Sequence, residues 1–263
     1  MWGSGDYCGG RAARRLDSFQ VLGLAAVAGV ILLTLAAFGR GETLAVDAGA
    51  AWAAGAGLSG ALGIVALYRG LAIGSAAAVA PAAAVVAAAL PVLFSAVTEG
   101  APRPVQSVGF ALALAGIWLV ARAAPRGTES RAGVRLGLLA GVGFGGFLIL
   151  IAQVEVSSVF VPLAIARAVM LVVGVLVLVG RGLALPGLAS SPMALLAGIL
   201  DAGGNVLYLL ARQHVRLDVA AVLSSLYPVA TVLLARVVSD EPVSPTQWVG
   251  AGVCLAAVGL IAA

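Results

Sequence analysis

The sequence contains no lysine and a single histidine, His214. It has only two cysteines, Cys8 and Cys254, near opposite ends of the chain. Charge of either sign is scarce: charged residues occupy 10% of 263 positions, where a soluble domain keeps about a quarter of its residues charged. Each shortage excludes something. Two distant cysteines in apolar surroundings make neither a disulfide framework nor a metal site. With one histidine, no HExxH run and no phosphate-binding loop, an intramembrane enzyme has no ligand set or nucleophile–base pair to rest on. The formal net charge of +4 is carried by fifteen arginines. No aromatic residues are interleaved with them as nucleic-acid binding would require. The arginine cluster Arg11, Arg14 and Arg15 follows the small-residue opening, the reverse of the order in a signal peptide. No cofactor is implied.

What fills the chain is hydrocarbon. Hydrophobic residues make up 62% of it, and the mean hydropathy is +1.13. A helix needs about 20 apolar residues to cross a bilayer. Breaking the chain at charges and Gly-Pro clusters predicts nine spans: Ser18–Phe38, Ala50–Leu67, Ser75–Val97, Val105–Ala121, Leu136–Val154, Val159–Val179, Met193–Leu210, Val219–Val238 and Thr246–Ala263. The connections are short, and the longest polar one, Arg122–Arg135, reads as a hinge between halves.

Those halves are related. A shift of 141 residues lays Gly63–Ala121 on Gly204–Ala262 without a gap. Within it PVQSVGFALALAGIWLVA meets PTQWVGAGVCLAAVGLIA, identical at eight of eighteen positions, among them Pro104/Pro245, Gln106/Gln247 and Gly109/Gly250. The same shift sets Gly5 on Gly146 and Phe19 on Phe160, so the opening MWGSGDYCGG corresponds to the span that begins at Leu136. The chain therefore reads as five helices per half, residues 1–125 and 126–263, with a first helix that lacks its beginning. A start codon assigned too late would account for that, and a re-entrant half-helix is the alternative. Five is odd, so homologous halves must cross the membrane in opposite senses. This inverted repeat is typical of secondary transporters, whose two halves exchange conformations to open a central site to either face. The expected fold is an all-α membrane protein, a ten-helix bundle of two inverted five-helix repeats.

Two stretches carry a resemblance: Trp2-Gly3-Ser4-Gly5-Asp6 at the opening, and Leu223-Ser224-Ser225-Leu226-Tyr227-Pro228 followed by SDEPVSPTQWVG. They look like the first-helix motif and the ninth helix and turn of the drug/metabolite transporter superfamily, and the chain resembles specifically its EamA-like ten-helix members. The turn Thr98-Glu99-Gly100 lacks the Gly-Glu-Arg or Gly-Glu-Lys sequence common there. The resemblance implies a central cavity, transport of small metabolites across the cell membrane, and cytoplasmic termini. The arginines disagree with that orientation. It would leave Arg40, Arg103, Arg212 and Arg216 inside, against nine in the outside connections, contrary to the positive-inside rule.

Ionisable groups within spans are costly and are functional candidates for that reason. Asp201, Asn205 and Tyr208 are spaced four and three apart and so share one helix face. A carboxylate, an amide and a phenol on one stripe suit a zwitterion or polyol, with Asp201 binding an ammonium group or a proton; hydrogen bonding to a neighbouring helix is the plainer alternative. Their counterparts Gly60, Ile64 and Leu67 are non-polar, so any site is asymmetric on a symmetric scaffold. Arg167, deep in its span, is expected to pair with Asp6 or Asp201, or to bind a substrate carboxylate. Asp6 is either a proton-coupling carboxylate or a residue near the membrane surface. Ser224, Ser225 and Tyr227 flank Pro228, which removes a backbone donor; Pro81 and Pro91 do the same in the paired helix, making three candidate gating kinks that could line the cavity. Gly137, Gly141 and Gly145 are spaced for close helix approach. The implied partners are a small-molecule substrate, the lipid bilayer and, left open, protons and a second copy of the chain. A non-transporting receptor or assembly partner is the rival function.

Overall fold

The computed structural model describes residues 1–43, 48–74, 76–122, 128–154, 158–227, 237 and 244–262. Among them are ten α-helices: α1 (Trp2–Ala13), α2 (Ser18–Arg40), α3 (Ala48–Ile73), α4 (Ala76–Thr98), α5 (Pro104–Arg122), α6 (Thr128–Ile151), α7 (Phe160–Gly180), α8 (Pro192–Arg212), α9 (Leu217–Ser224) and α10 (Pro245–Ala262). Six of the ten contain long apolar windows able to cross a membrane, and α5 and α10 contain shorter apolar stretches. Within a bilayer every backbone polar group must be satisfied inside its own segment, so hydrocarbon-rich sequence of this kind has helix as its available form.

Two expected boundaries differ. The stretch Arg122–Arg135 is not all linker, because α6 already starts at Thr128. The described part of the expected single span Val219–Val238 is helical to Ser224, turns at residues 225–227 and is helical again at Val237; the rest of it lies outside the described residues. The residue preceding a proline is pushed out of helical geometry, and Tyr227 precedes Pro228. Pro228 itself lies outside the described residues. In α4, by contrast, Pro81 and Pro91 sit within one continuous helix.

The termini of α2 and α7, which correspond under the 141-residue shift, show how the halves are mounted. Just beyond the C-terminal end of α2, the Glu42 carboxylate accepts from the backbone N–H groups of Val159, Phe160 and Val161 at 3.1, 2.9 and 2.8 Å. It thereby caps the start of α7, where a carboxylate is favoured by the free N–H groups and the helix dipole. Just beyond the C-terminal end of α7, Arg181 reaches Asp17 at the start of α2 at 3.0 Å, and Gln20 donates to the Ala184 carbonyl at 3.0 Å. Asp17 also caps its own helix, accepting from the Phe19 N–H at 2.9 Å, while Gln20 accepts from the Asp17 N–H at 3.1 Å. Each helix thus ends where its mate begins. Equivalent helices running antiparallel side by side are what inverted repeats require.

Further helix pairs obey the same exchange. Helices α5 and α10 pack antiparallel: Gly109 lies against Ile261 and Gly116 against Cys254. Helix α3 packs on α7 as α8 packs on α2, and α3 packs on α6 as α8 packs on α1. The match reaches individual atoms. A side chain at Gly57 would collide with the Ala166 carbonyl oxygen, and one at Gly198 with that of Ala25; both members of the second contact fall on the first under the shift of 141. Small residues at crossings let membrane helices approach backbone to backbone, where packing rather than hydrophobic burial holds them together. The Gly137–Gly141–Gly145 ladder works the same way, seating α6 on Val79, Ala83 and Leu90 of α4.

Replacing Gly198 by leucine is therefore expected to lower the unfolding temperature of the detergent-purified protein by roughly 5 °C or more, the scale of an overpacked core. Gly259 has open space beside it, and Gly259→Ala should leave that temperature unchanged. A thermal-shift comparison of the two variants with the parent is the check; equal stability would remove the crossing from the account of the fold.

Candidate functional site

Where α1, α4, α6 and α8 meet the turn that ends α9, the bundle encloses about 390 Å³ of non-atom space, counting its open mouth. Helix α1 contributes Trp2 and Asp6, α8 contributes Asp201 and Asn205, and the turn contributes Ser225 and Tyr227. The facing wall is apolar: Ala87 of α4 with Phe144, Phe147 and Leu148 of α6.

This site lies across the relation between the repeats. Asp6 and Phe147 are equivalent positions, and both line the cavity. One half supplies a carboxylate where the other supplies a phenyl ring. The walls are thus built in pairs while their chemistry differs. Close approach of α1 to α8 brings the polar wall together. Gly204 leaves room for the Trp2 ring and Gly5 sits against Leu200 and the Asp201 backbone. Trp2 Nε1 then donates to Asn205 Oδ1 at 3.1 Å and shares its hydrogen with the Asp201 carbonyl at 3.3 Å. Its ring meets Tyr227 edge-on at 6.0 Å and tilts toward Tyr208 at 6.3 Å, separations favourable for aromatic pairs.

Arg167 is 1% exposed and forms an ion pair with Asp201, whose side chain is 22% exposed. Its Nη1 also lies 3.5 Å from the Met170 sulfur, and its aliphatic stem lies over Gly29 of α2. Arg167 does not line the cavity wall but stands behind it, and a guanidinium there is tolerable because a carboxylate and sulfur surround it. Asp6 is different. It is buried, and its Oδ2 has no hydrogen-bond partner among the described residues. The cavity's two carboxylates therefore differ in state: one is neutralised by a fixed cation, the other is not.

The remaining expected residues fall in varied places. Tyr208 is almost fully buried, and its hydroxyl donates to the Leu148 carbonyl at 3.0 Å, joining α8 to α6. Ser224 is the last residue of α9, and its neighbour Ser225 is the serine that lines the cavity while donating to the Ala221 carbonyl at 2.7 Å. Ala87, on the cavity wall, lies between Pro81 and Pro91 in α4. The third kink candidate, Pro228, is outside the described residues. Ser225, expected beside Pro228, is on the wall, whereas the sequence singles out neither Phe144 nor Phe147. Trp2 was visible only as part of a motif. Phe147 had a usable signal, its register with Asp6, which marks the opposite wall wherever a cavity straddles two repeats.

At one end of the bundle, the acidic turn after α4 clasps the α8–α9 connection. Glu99 binds Arg212 at 2.7 Å, and Arg216 binds Asp218 at 3.1 Å while donating to the Gly100 carbonyl at 2.7 Å. The hydrogen bond from Arg216 to Asp218 holds the guanidinium above its ordinary pKa.

The Arg167–Asp201 geometry yields a specific expectation. Breaking a buried pair from one side strands the other charge and costs roughly 3–5 kcal/mol, somewhat less here because Asp201 borders the cavity. Asp201→Asn and Arg167→Met should each destabilise the purified protein strongly, whereas Arg167→Met combined with Asp201→Leu should recover most of the loss. Denaturation midpoints of the four proteins test this, and simple additivity would argue against a coupled pair.

Residues 1–122 and 131–263 match the model of the EamA-like transporter family. Among solved structures, one whose description reads only as the crystal structure of a protein superposes with a TM-score of 0.71 at 18% identity, over 98% of this chain and 93% of that one. That likeness concerns fold alone. No curated protein matches the sequence. With the family model covering both repeats of a multi-pass, all-helical bundle, the chain belongs to the EamA-like transporter family, membrane transporters of the drug/metabolite type.

Proposed function

We propose that this transporter is a secondary carrier in the cell membrane that exports a small amphipathic metabolite bearing a positively charged nitrogen, by alternating access and in exchange for protons. The observation that carries the reading is the unequal state of the two cavity carboxylates. Asp201 is already neutralised by Arg167, which leaves Asp6 as the anionic group open to a ligand. A lone carboxylate in an apolar cavity is costly unless it holds a proton or faces a cation. Trp2, Tyr227, Phe144 and Phe147 beside it offer ring faces, which attract cations and cover apolar groups alike. One group that takes either a proton or an ammonium, but not both, couples the two fluxes in opposite directions. The inverted repeats supply the conformational half of the mechanism, because exchanging the shapes of two equivalent halves exposes the same cavity to the other face.

The test is flux in proteoliposomes holding the full chain, with a labelled panel of aromatic amines, amino acids and neutral polyols under an imposed pH gradient. An amphipathic amine should accumulate against its own gradient, and Asp6→Asn should lower that accumulation at least tenfold while leaving the unfolding temperature close to the parent value. Gradient-driven uptake that survives Asp6→Asn would remove Asp6 from the site. Saturable binding without flux for any compound would instead favour a receptor.

A further inference from the structure

The arginines are not spread evenly over the molecule. The last turns of α1, α3 and α7 and the first turns of α2, α4 and α6 share one end of the bundle, where Gly10 lies against Leu71, Gly133 against Gly74 and Gln20 against Ala184. At this end Arg11, Arg14, Arg15, Arg69, Arg131 and Arg135 are all exposed. None of the six takes part in an ion pair among the described residues. A seventh, Arg181, pairs with Asp17. The opposite end is arranged differently. There Arg212 is held by Glu99 and Arg216 by Asp218, and only Arg40 and Arg103 among the described residues are exposed without an ion pair. The sequence of the connections carries the same bias: nine arginines against four acids at the first end, and four arginines against five acids at the second.

We infer that the arginine-covered end lies in the cytoplasmic leaflet and binds its anionic phospholipid headgroups, so that the end closed by Glu99 and Arg212 faces outward. An arginine without a carboxylate partner keeps its fork of donors for another anion, and phosphate fits that fork in two places at once. The aliphatic stem lies along apolar surface while the guanidinium reaches the headgroup layer. Six such groups around one rim match the negative surface of the cytoplasmic leaflet, and the same excess of arginine in short loops sets helix orientation during insertion. The resemblance to the family implies the reverse mounting, with the start of α1 toward the cytoplasm, so the two readings differ in a measurable way. This inference is independent of what the cavity carries.

Orientation is read with single cysteines placed at exposed positions of opposite ends, Ser190→Cys at the arginine-rich end and Thr43→Cys at the other; the native Cys8 and Cys254 are buried. In intact cells a membrane-impermeant maleimide should label Thr43→Cys directly and Ser190→Cys only after permeabilisation. The opposite pattern, or labelling of both from outside, overturns the orientation. Lipid binding is read by native mass spectrometry of the full chain offered equal phosphatidylglycerol and phosphatidylcholine. The combined R14Q/R15Q/R131Q/R135Q variant should retain roughly tenfold less phosphatidylglycerol than the parent, and R40Q/R103Q should match the parent. Equal retention in all three proteins, or equal loss in both variants, overturns the headgroup site.

Discussion

Close contact between helix backbones at glycine crossings is the constraint on which the rest of this structure depends. Gly57 against Ala166 and Gly198 against Ala25 are one contact made twice, and each requires that the residue facing the neighbouring helix carry no side chain. In water such crossings would be secondary to burial of apolar surface. In lipid, where the surroundings are as apolar as the side chains, they are what distinguishes one arrangement of helices from another. Because the crossings occur in matched pairs, the two halves are held in an inverted relation. The capping of α7 by Glu42, and the mirrored contact of Arg181 with Asp17, hold the ends of that arrangement.

A cavity on the line between two equivalent halves inherits paired walls, and its chemistry then depends on where the pairing is broken. Here it is broken heavily on one side. Trp2, Asp6, Asp201 and Asn205 gather on α1 and α8, while equivalent positions elsewhere carry glycine, phenylalanine or isoleucine. A symmetric scaffold with an asymmetric lining suits a molecule that itself has a charged end and an apolar end. The ion pair behind the wall refines this picture, since Arg167 neutralises the carboxylate that looked most available and leaves Asp6 as the group of interest.

Most of the architecture was legible in the order of residues. Long apolar runs, the 141-residue register and the odd number of helices per half lead to an inverted bundle without any coordinates, since each rests on local composition or on repetition. The site was less legible. Asp201, Asn205 and Tyr208 share a stripe by spacing, yet Tyr208 donates to the Leu148 backbone on α6 and lies behind the cavity. Spacing places side chains on a face of one helix; which part of that face meets a neighbour depends on the crossing angle and distance, and these are properties of two helices. The turn at residues 225–227 shows the reverse case, a local interruption just before Pro228 within a run of apolar residues that reads as one span.

By itself the sequence determined the solvent, the secondary structure, the repeat and hence the inverted topology, because hydropathy and periodicity act through near neighbours along the chain. Only the tertiary structure decided which carboxylate is paired, which aromatic rings close the cavity, and which arginines keep their charge free at one end of the bundle. Those outcomes depend on distances between groups as far apart in sequence as Trp2 and Asn205, set by helix packing that no single segment encodes.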